Sequence, residues 1–183
     1  MVAIQSACRI GIISDTHGLL RPEALVALQG SDLIIHAGDI GHPSVLESLS
    51  RIAPVFAVRG NNDHGEWAEE LPEFRIVTAG GISLCVLHNV TELHAVAKAS
   101  GAVNWAAVIA GHSHRPLVEK RDGVLFINPG SAGPRRFHLP VTVARLQIQG
   151  SELTASIIDL APAEATNRPR PVGPRNKKKA PGS

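Results

Sequence analysis

Three short apolar runs near the start of this chain, Cys8–Ile13, Leu33–His36 and Val55–Val58, each break off into glycine and a polar turn. The first runs into Ser14-Asp15-Thr16-His17-Gly18, the second into Ala37-Gly38-Asp39, the third into Arg59-Gly60-Asn61-Asn62-Asp63. Runs this short, rich in Val and Ile, are buried strands rather than helices. Between them lie Pro22–Gln29 and His42–Ser50, which read as helices; the first has Pro in its opening turn and Gly30 as its stop signal. Strand–helix–strand–helix–strand predicts parallel βαβ units.

The pattern then changes. Phe74–Thr78 and Ile82–His88 flank Ala79-Gly80-Gly81 and read as a hairpin. Thr91–Ala99 reads as a helix stopped near Gly101, and Ala106–Ala110 as a buried strand leading into Gly111-His112-Ser113-His114. Val118–Lys120 and Val124–Ile127 surround Arg121-Asp122-Gly123, a second hairpin, and Val141–Gln149 with Leu153–Asp159 form a third antiparallel pair. Parallel units followed by hairpins predict two packed mixed sheets with helices outside.

The domain is expected over residues 1–160. Residues 161–183 carry six Arg and Lys against one Glu, or +5, which leaves −3 for the domain out of a total of +2. That Pro-rich basic segment has almost no large apolar side chains and is expected to be a disordered tail. It offers at most a weak, charge-driven contact with nucleic acid. The domain's few aromatic residues, four Phe, two Trp and no Tyr, argue against single-strand nucleic-acid binding, which needs stacking platforms. Cys8 and Cys85 lie in apolar runs and are expected to be buried and unpaired, which suits a reducing cytosol. No signal-like segment and no run near the length of a membrane span is visible, so a cytoplasmic location is expected.

Five strand ends carry residues that can ligate a metal: Asp15 with His17, Asp39, Asn61, His88, and His112 with His114. Ligands of α/β sheets gather at the carboxyl ends of strands, where several loops converge on one crevice. Asp-x-His and His-x-His set two side chains on the same side of an extended segment. Each motif alone is weak, since an isolated Gly-Asp is a turn and a lone strand-end histidine usually bonds to backbone. Jointly they predict a mixed oxygen and nitrogen shell without thiolate, suited to Mn, Fe, Co, Ni or Zn.

In this order the residues resemble the calcineurin-like metallophosphoesterase superfamily, with its Asp-x-His, Gly-Asp, Gly-Asn-x-Asp/Glu, later His and Gly-His-x-His. More narrowly, Ser14-Asp15-Thr16-His17-Gly18, His36-Ala37-Gly38-Asp39 and Asn128-Pro129-Gly130-Ser131 look like the small YfcE-type phosphodiesterases. The resemblance covers residues 8–159 and implies an α/β fold, a four-layer α/β/β/α sandwich. It implies two divalent cations, manganese favoured: one on Asp15, His17, Asp39 and His114, the other on Asp39, Asn61, His88 and His112, with Asp39 bridging. It further implies a small phosphoester substrate attacked by a hydroxide bridging the two metals, with Asp39, Asn61 and His112 catalytic and Asn61 and Asn62 meeting the substrate.

The chain departs from the superfamily at Asn62, where many members have a proton-donating His; an amide cannot act as a general acid. Diesters, or esters with acidic leaving groups, are therefore expected over alkyl monoesters. His64 is near enough in sequence to replace that acid, but is expected to be an ordinary loop residue. Asp63 is expected to bond loop backbone, and His36 to support the Asp39 turn. His42, His94 and His138 are expected at the surface. Asn128-Pro129-Gly130-Ser131 is expected to be a structural turn, with shaping the site or positioning substrate as alternatives, and Arg135 and Arg136 either meet a phosphate or are solvated. The rival reading is a scaffold on the same fold that has lost catalysis, as vacuolar protein sorting 29-like proteins resemble. A homo-oligomer is compatible with either.

Overall fold

A computed structural model describes residues 7–101, 104–136 and 138–160. The expected tail over 161–183 lies outside the described residues, as do residues 1–6 of the expected domain.

Strand β1 (Cys8–Ile13) pairs in parallel with β2 (Leu33–His36), and β2 with β3 (Val55–Ala57). On its other side β1 meets β9 (Thr142–Gln149), which pairs with β10 (Glu152–Asp159); both of these pairings are antiparallel. The second sheet holds β4 (Phe74–Ala79), β5 (Ile82–Leu87), β6 (Ala107–Ile109), β7 (Leu117–Arg121) and β8 (Val124–Asn128), in the order β4-β5-β6-β8-β7. Its three central strands are parallel and its edges antiparallel.

Side chains two apart in the strands sort into layers. Ile10, Ile12, Ile35, Leu84, Val86, Ile109, Leu146 and Ile148 fill the space between the sheets. Ile13, Ile34 and Val143 face outward, beneath α1 (Pro22–Ala27) and α2 (Pro43–Ser50). Cys85, Leu87 and Val108 face outward on the second sheet, beneath α4 (Leu93–Ser100). The result is the expected α/β/β/α sandwich, with its core in three apolar layers.

Differences from expectation are local. The first helix ends at Ala27, two residues early, because Leu28 already caps it before the left-handed turn at Gly30. Thr91–Ala99 resolves into a 3-10 turn, Val90–Glu92, opened by the Asn89 side chain accepting from Thr91 N at 3.1 Å, and then α4. A one-turn helix, α3 (Glu66–Glu69), is too short to show apolar periodicity and was not anticipated. Cys85 is buried as expected, but Cys8 is only half-buried, because it opens β1 at the end of the core; both are free thiols. Among the described residues no helix is long and apolar enough to cross a membrane.

Candidate metal centre

The carboxyl ends of β1, β2, β3, β5 and β6 open on one rim, and the pairing continues past the strands into the loops. Asp15 N donates to Gly38 O (3.0 Å), His17 N to Asp39 O (2.9 Å) and Gly18 N to Ile40 O (2.7 Å). Gly111 N donates to His88 O at 3.0 Å in the other sheet. The loops are thus ordered by backbone bonds before any ligand is considered.

Asp15, His17, Asp39, His112 and His114 all take left-handed backbone conformations, with φ between 46° and 66°. Among the described residues the sixth non-glycine residue of this kind is Asp122, in a hairpin turn. Such conformations cost roughly 1 kcal/mol or more each and cluster where the surroundings hold a chain end against its preference. Two glycines permit the close approach. A Cβ at Gly38 would lie 2.6 Å from His88 Nδ1, and one at Gly60 would overlap the Asp39 backbone nitrogen.

All seven predicted ligands lie at this rim, and five of them form two groups whose ligand atoms fall within 4.8 Å of one another: Asp15, His17 and His114, and Asp15, Asp39 and His88. His114 Nε2 is 3.1 Å from Asp15 Oδ1, and His17 Nε2 is 3.8 Å from Asp39 Oδ2. His88 Nε2 stands 3.4 Å from Asp39 Oδ1. Asn61 Oδ1 joins the second group from the cleft side, 3.1 Å from His88 Nε2 and 3.0 Å from His112 Nδ1. Asp15 is common to both groups, whereas the resemblance assigns bridging to Asp39. Asp39 nonetheless reaches both, with one oxygen toward His17 and the other toward His88.

The donor set fits cations. Asp15 is fully buried and its Oδ1 has no hydrogen-bond donor, while Oδ2 accepts from Ser14 Oγ (2.7 Å) and His112 N (3.1 Å). A buried carboxylate oxygen without a donor needs positive charge. His88 Nδ1 donates to Ala37 O at 2.8 Å, which turns Nε2 toward Asp39 and Asn61. A backbone carbonyl in this role fixes the ring of a ligating histidine. Burial lowers the His88 pKa, but its bonds to Asp39 and Ala37 outweigh that and leave it raised. Burial likewise raises Asp39, yet bonds from His88 and from Asn62 hold it well below the usual carboxylate range. Burial keeps His17 below its ordinary value, and so neutral.

Asn62 donates to Asp39 twice, from its backbone N at 2.8 Å and from Nδ2 at 2.6 Å. Asp63 is spent on backbone, accepting from Gly41 N and Gly60 N at 2.8 Å each, as expected. His36 is buried behind the centre, its Nε2 3.0 Å from Thr16 Oγ1, and burial lowers its pKa to about 4. Asn128 Nδ2 donates to Gly111 O (2.7 Å) and Ser131 Oγ to Asp15 O (3.0 Å), so the Asn128–Ser131 turn braces the ligand loops. His42 caps α2, accepting from Ser44 N; it, His94 and His138 are exposed, as expected. His64 is exposed on a cleft of about 570 Å³ that opens from Asn61, His88 and His112. Sequence reasoning missed Ser14, whose signal was its place beside Asp15, and did not foresee that Asn62 would clasp Asp39.

Facing mixed sheets with a carboxylate, imidazole and amide cluster at their common rim define a protein of the metallohydrolase kind. Residues 8–151 match the calcineurin-like phosphoesterase superfamily domain, and the chain belongs to that family. It is 34% identical over 161 residues to a probable metallophosphoesterase of Methanothermobacter thermautotrophicus, covering 81% of this chain and 91% of that one. An archaeal phosphodiesterase of known structure superposes with TM-score 0.66 at 28% identity, covering 82% of this chain and 99% of its own. Vacuolar protein sorting 29 of Cryptosporidium parvum shares the fold, with TM-score 0.67 at 18% identity, covering 84% and 97%. The family implies divalent metal ions, and the residues that would hold them are present.

Proposed function

We propose that this protein is a phosphodiesterase working with two divalent cations, manganese favoured, in a cytoplasmic setting. The observation that carries the reading is the left-handed backbone at five candidate ligands, none of them glycine and none in a hairpin turn. Strain of this kind, gathered at one rim, belongs to a site that is held ready. Asp15, His17, Asp39 and His114 would hold one cation, and Asp39, Asn61, His88 and His112 the other. Bound there, the pair would acidify a water to serve as nucleophile and draw off charge from the phosphoryl oxygens.

The chain's own residues set the rest. Neutral imidazoles add ligands without cancelling positive charge, so the centre keeps its attraction for phosphate. Asn62 holds Asp39 ionised and oriented, and reaches the substrate only with its second amide N–H. Asn61 and His112 stand where the cleft meets the centre, and so place the phosphoester against it. With an amide at position 62, hydrolysis depends on a leaving group that departs without a proton, which favours aryl diesters.

The rival reading, a binding scaffold, draws on the vacuolar sorting neighbour. Competent side chains at all seven candidate ligand positions favour the enzyme over it. The test is metal analysis of the purified protein together with hydrolysis of an aryl diester by wild type and Asp39→Ala. Two divalent ions per chain and activity lost in the variant are expected. Equal activity in both refutes the role of Asp39, and no hydrolysis with any divalent metal favours the scaffold.

A further inference from the structure

The loop that follows Ser131 brings a cation to the centre. Ala132 N donates to Ser14 O (3.1 Å) and Gly133 N to Asp15 O (3.2 Å). A Cβ at Gly133 would overlap the Asp15 and Thr16 carbonyls, so the loop lies directly on the ligand-bearing turn. Arg21 ties the same loop down from outside, its Nε and Nη2 donating to Gly133 O at 3.2 and 3.1 Å. Beyond this clamp Arg136 turns back, with Nη2 3.4 Å from His17 Nε2.

A guanidinium only donates, so this contact uses the lone pair that His17 would offer to a cation. One lone pair cannot serve both. When a cation takes it, the Arg136 Nη2 group is released at the edge of the centre, where another acceptor can meet it. Of the other arginines near this rim, Arg135 Nε donates to Leu139 O (3.4 Å), Arg59 is paired with Glu73 at 2.9 Å, and Arg115, beside His114, lines a separate pocket over β7 and β8. The cleft on the far side, past Asn61 and His112, is lined by Asp63, Glu69, Glu73 and Glu92 against Arg59 alone. An anionic oxygen is repelled there and attracted at Arg136.

We infer that Arg136 binds a non-bridging oxygen of the substrate's phosphate, so that an ester group points into the acidic cleft. The inference rests on the phosphodiesterase reading above. It also specifies the substrate: a diester whose cleft-side group is neutral or cationic and bears no second phosphate. A planar guanidinium with paired N–H donors matches a phosphate edge, which an ammonium meets only as a point charge.

The test is binding of inorganic phosphate to the manganese-loaded protein by calorimetry, for wild type, Arg136→Gln, Arg136→Lys and Arg135→Gln. Metal content and melting temperature are measured in parallel, as is the split between KM and kcat on an aryl diester. Arg136→Gln is expected to weaken phosphate about ten- to hundredfold, the worth of a charge-assisted hydrogen bond. Its metal content and melting temperature should stay unchanged, with KM raised more than kcat is lowered. Arg136→Lys should recover part of the loss, and Arg135→Gln should match wild type. Phosphate binding in Arg136→Gln equal to wild type overturns the inference while leaving the phosphodiesterase reading intact, as does an equal loss in Arg135→Gln. Wild type that neither binds phosphate nor cleaves diester overturns both.

Discussion

Replacing the two aspartates of the centre by asparagine, one at a time, should change metal-free stability unequally. Both residues are left-handed, at φ 54° and 55°, a region asparagine tolerates, so backbone strain is the same before and after. Ligand oxygens of Asp15 and Asp39 lie no more than 4.8 Å apart. At an effective dielectric near 20 that separation means a repulsion of about 3.5 kcal/mol. The Ser14 and His112 donors on Asp15 and nearby water leave about 1–2 kcal/mol of it uncompensated. Asp15→Asn removes the repulsion, and its amide can point a donor at His114 Nε2, where Oδ1 now has none. Asp39→Asn is different, because both oxygens already accept from Asn62. Turning over the Asn62 amide restores the number of bonds but not their charge assistance, and about 1–2 kcal/mol is lost. Asp39→Asn also relieves the same repulsion, which offsets that loss, so for a domain of this size the expected shifts in EDTA at pH 8 are about 3–6 °C up for Asp15→Asn and close to zero for Asp39→Asn. Manganese at a hundred times its Kd should stabilise wild type by about 2.7 kcal/mol and neither variant appreciably. The assay is thermal unfolding with and without metal. An Asp39→Asn shift in EDTA as large and positive as that of Asp15→Asn, or a variant that gains as much from manganese as wild type, would refute the reasoning.

Gly60→Ala should abolish diester hydrolysis and lower stability by about 1–3 kcal/mol, because the new methyl overlaps the Asp39 backbone, which cannot yield cheaply; urea unfolding and a hydrolysis assay check both parts. His36, with a folded pKa of about 4 against 6.5 unfolded, leaves stability intact above pH 6.5. As pH falls from 6.5 to 4 the unfolded chain takes the proton first, and up to roughly 3 kcal/mol is lost. Urea unfolding in EDTA across that range should therefore show wild type losing more than His36→Gln; parallel curves would contradict it. Aryl diesters should be cleaved faster than alkyl monoesters, and Asn62→His should narrow the gap by supplying a proton donor. A rate for alkyl monoesters above that for diesters in wild type would sink that view of Asn62.

Most of the sandwich was legible because apolar alternation and glycine turns report strands directly. The βαβ units and all three hairpins fell where the residues placed them, with ends off by a residue or two. The place of β9 was not legible: its antiparallel pairing to β1, which sets the last hairpin beside the first strand, depends on contacts more than a hundred residues apart. The ligands were legible as residue types at strand ends. Their grouping was not, because which oxygen of Asp15 or Asp39 faces which imidazole is fixed by side-chain angles and backbone φ. Arg136 was visible only as one of two neighbouring arginines. What separates them is that Arg135 bends back to its own loop while Arg136 reaches His17 across 119 residues of sequence.

The position of the centre follows from the sheets, and its readiness from what lies just past them. Asp15, His17 and Asp39 belong to loops that go on pairing after β1 and β2 have ended, so their backbones are held as firmly as strand residues. That pairing holds non-glycine residues in the left-handed region, where a free loop would relax to ordinary geometry. Replacing them by glycine would ease the strain and remove the ligands at once, so at these positions stability and chemistry are in opposition. The nearest comparison within the chain is Asp122, equally left-handed at φ 48° but exposed in a hairpin and far from any ligand. Asp122→Gly should therefore stabilise the protein by about 1 kcal/mol with no change in hydrolysis. If it destabilises the protein in thermal unfolding, left-handed backbone is not strain in this fold, and the reading of the ligand turns as held against their preference fails with it.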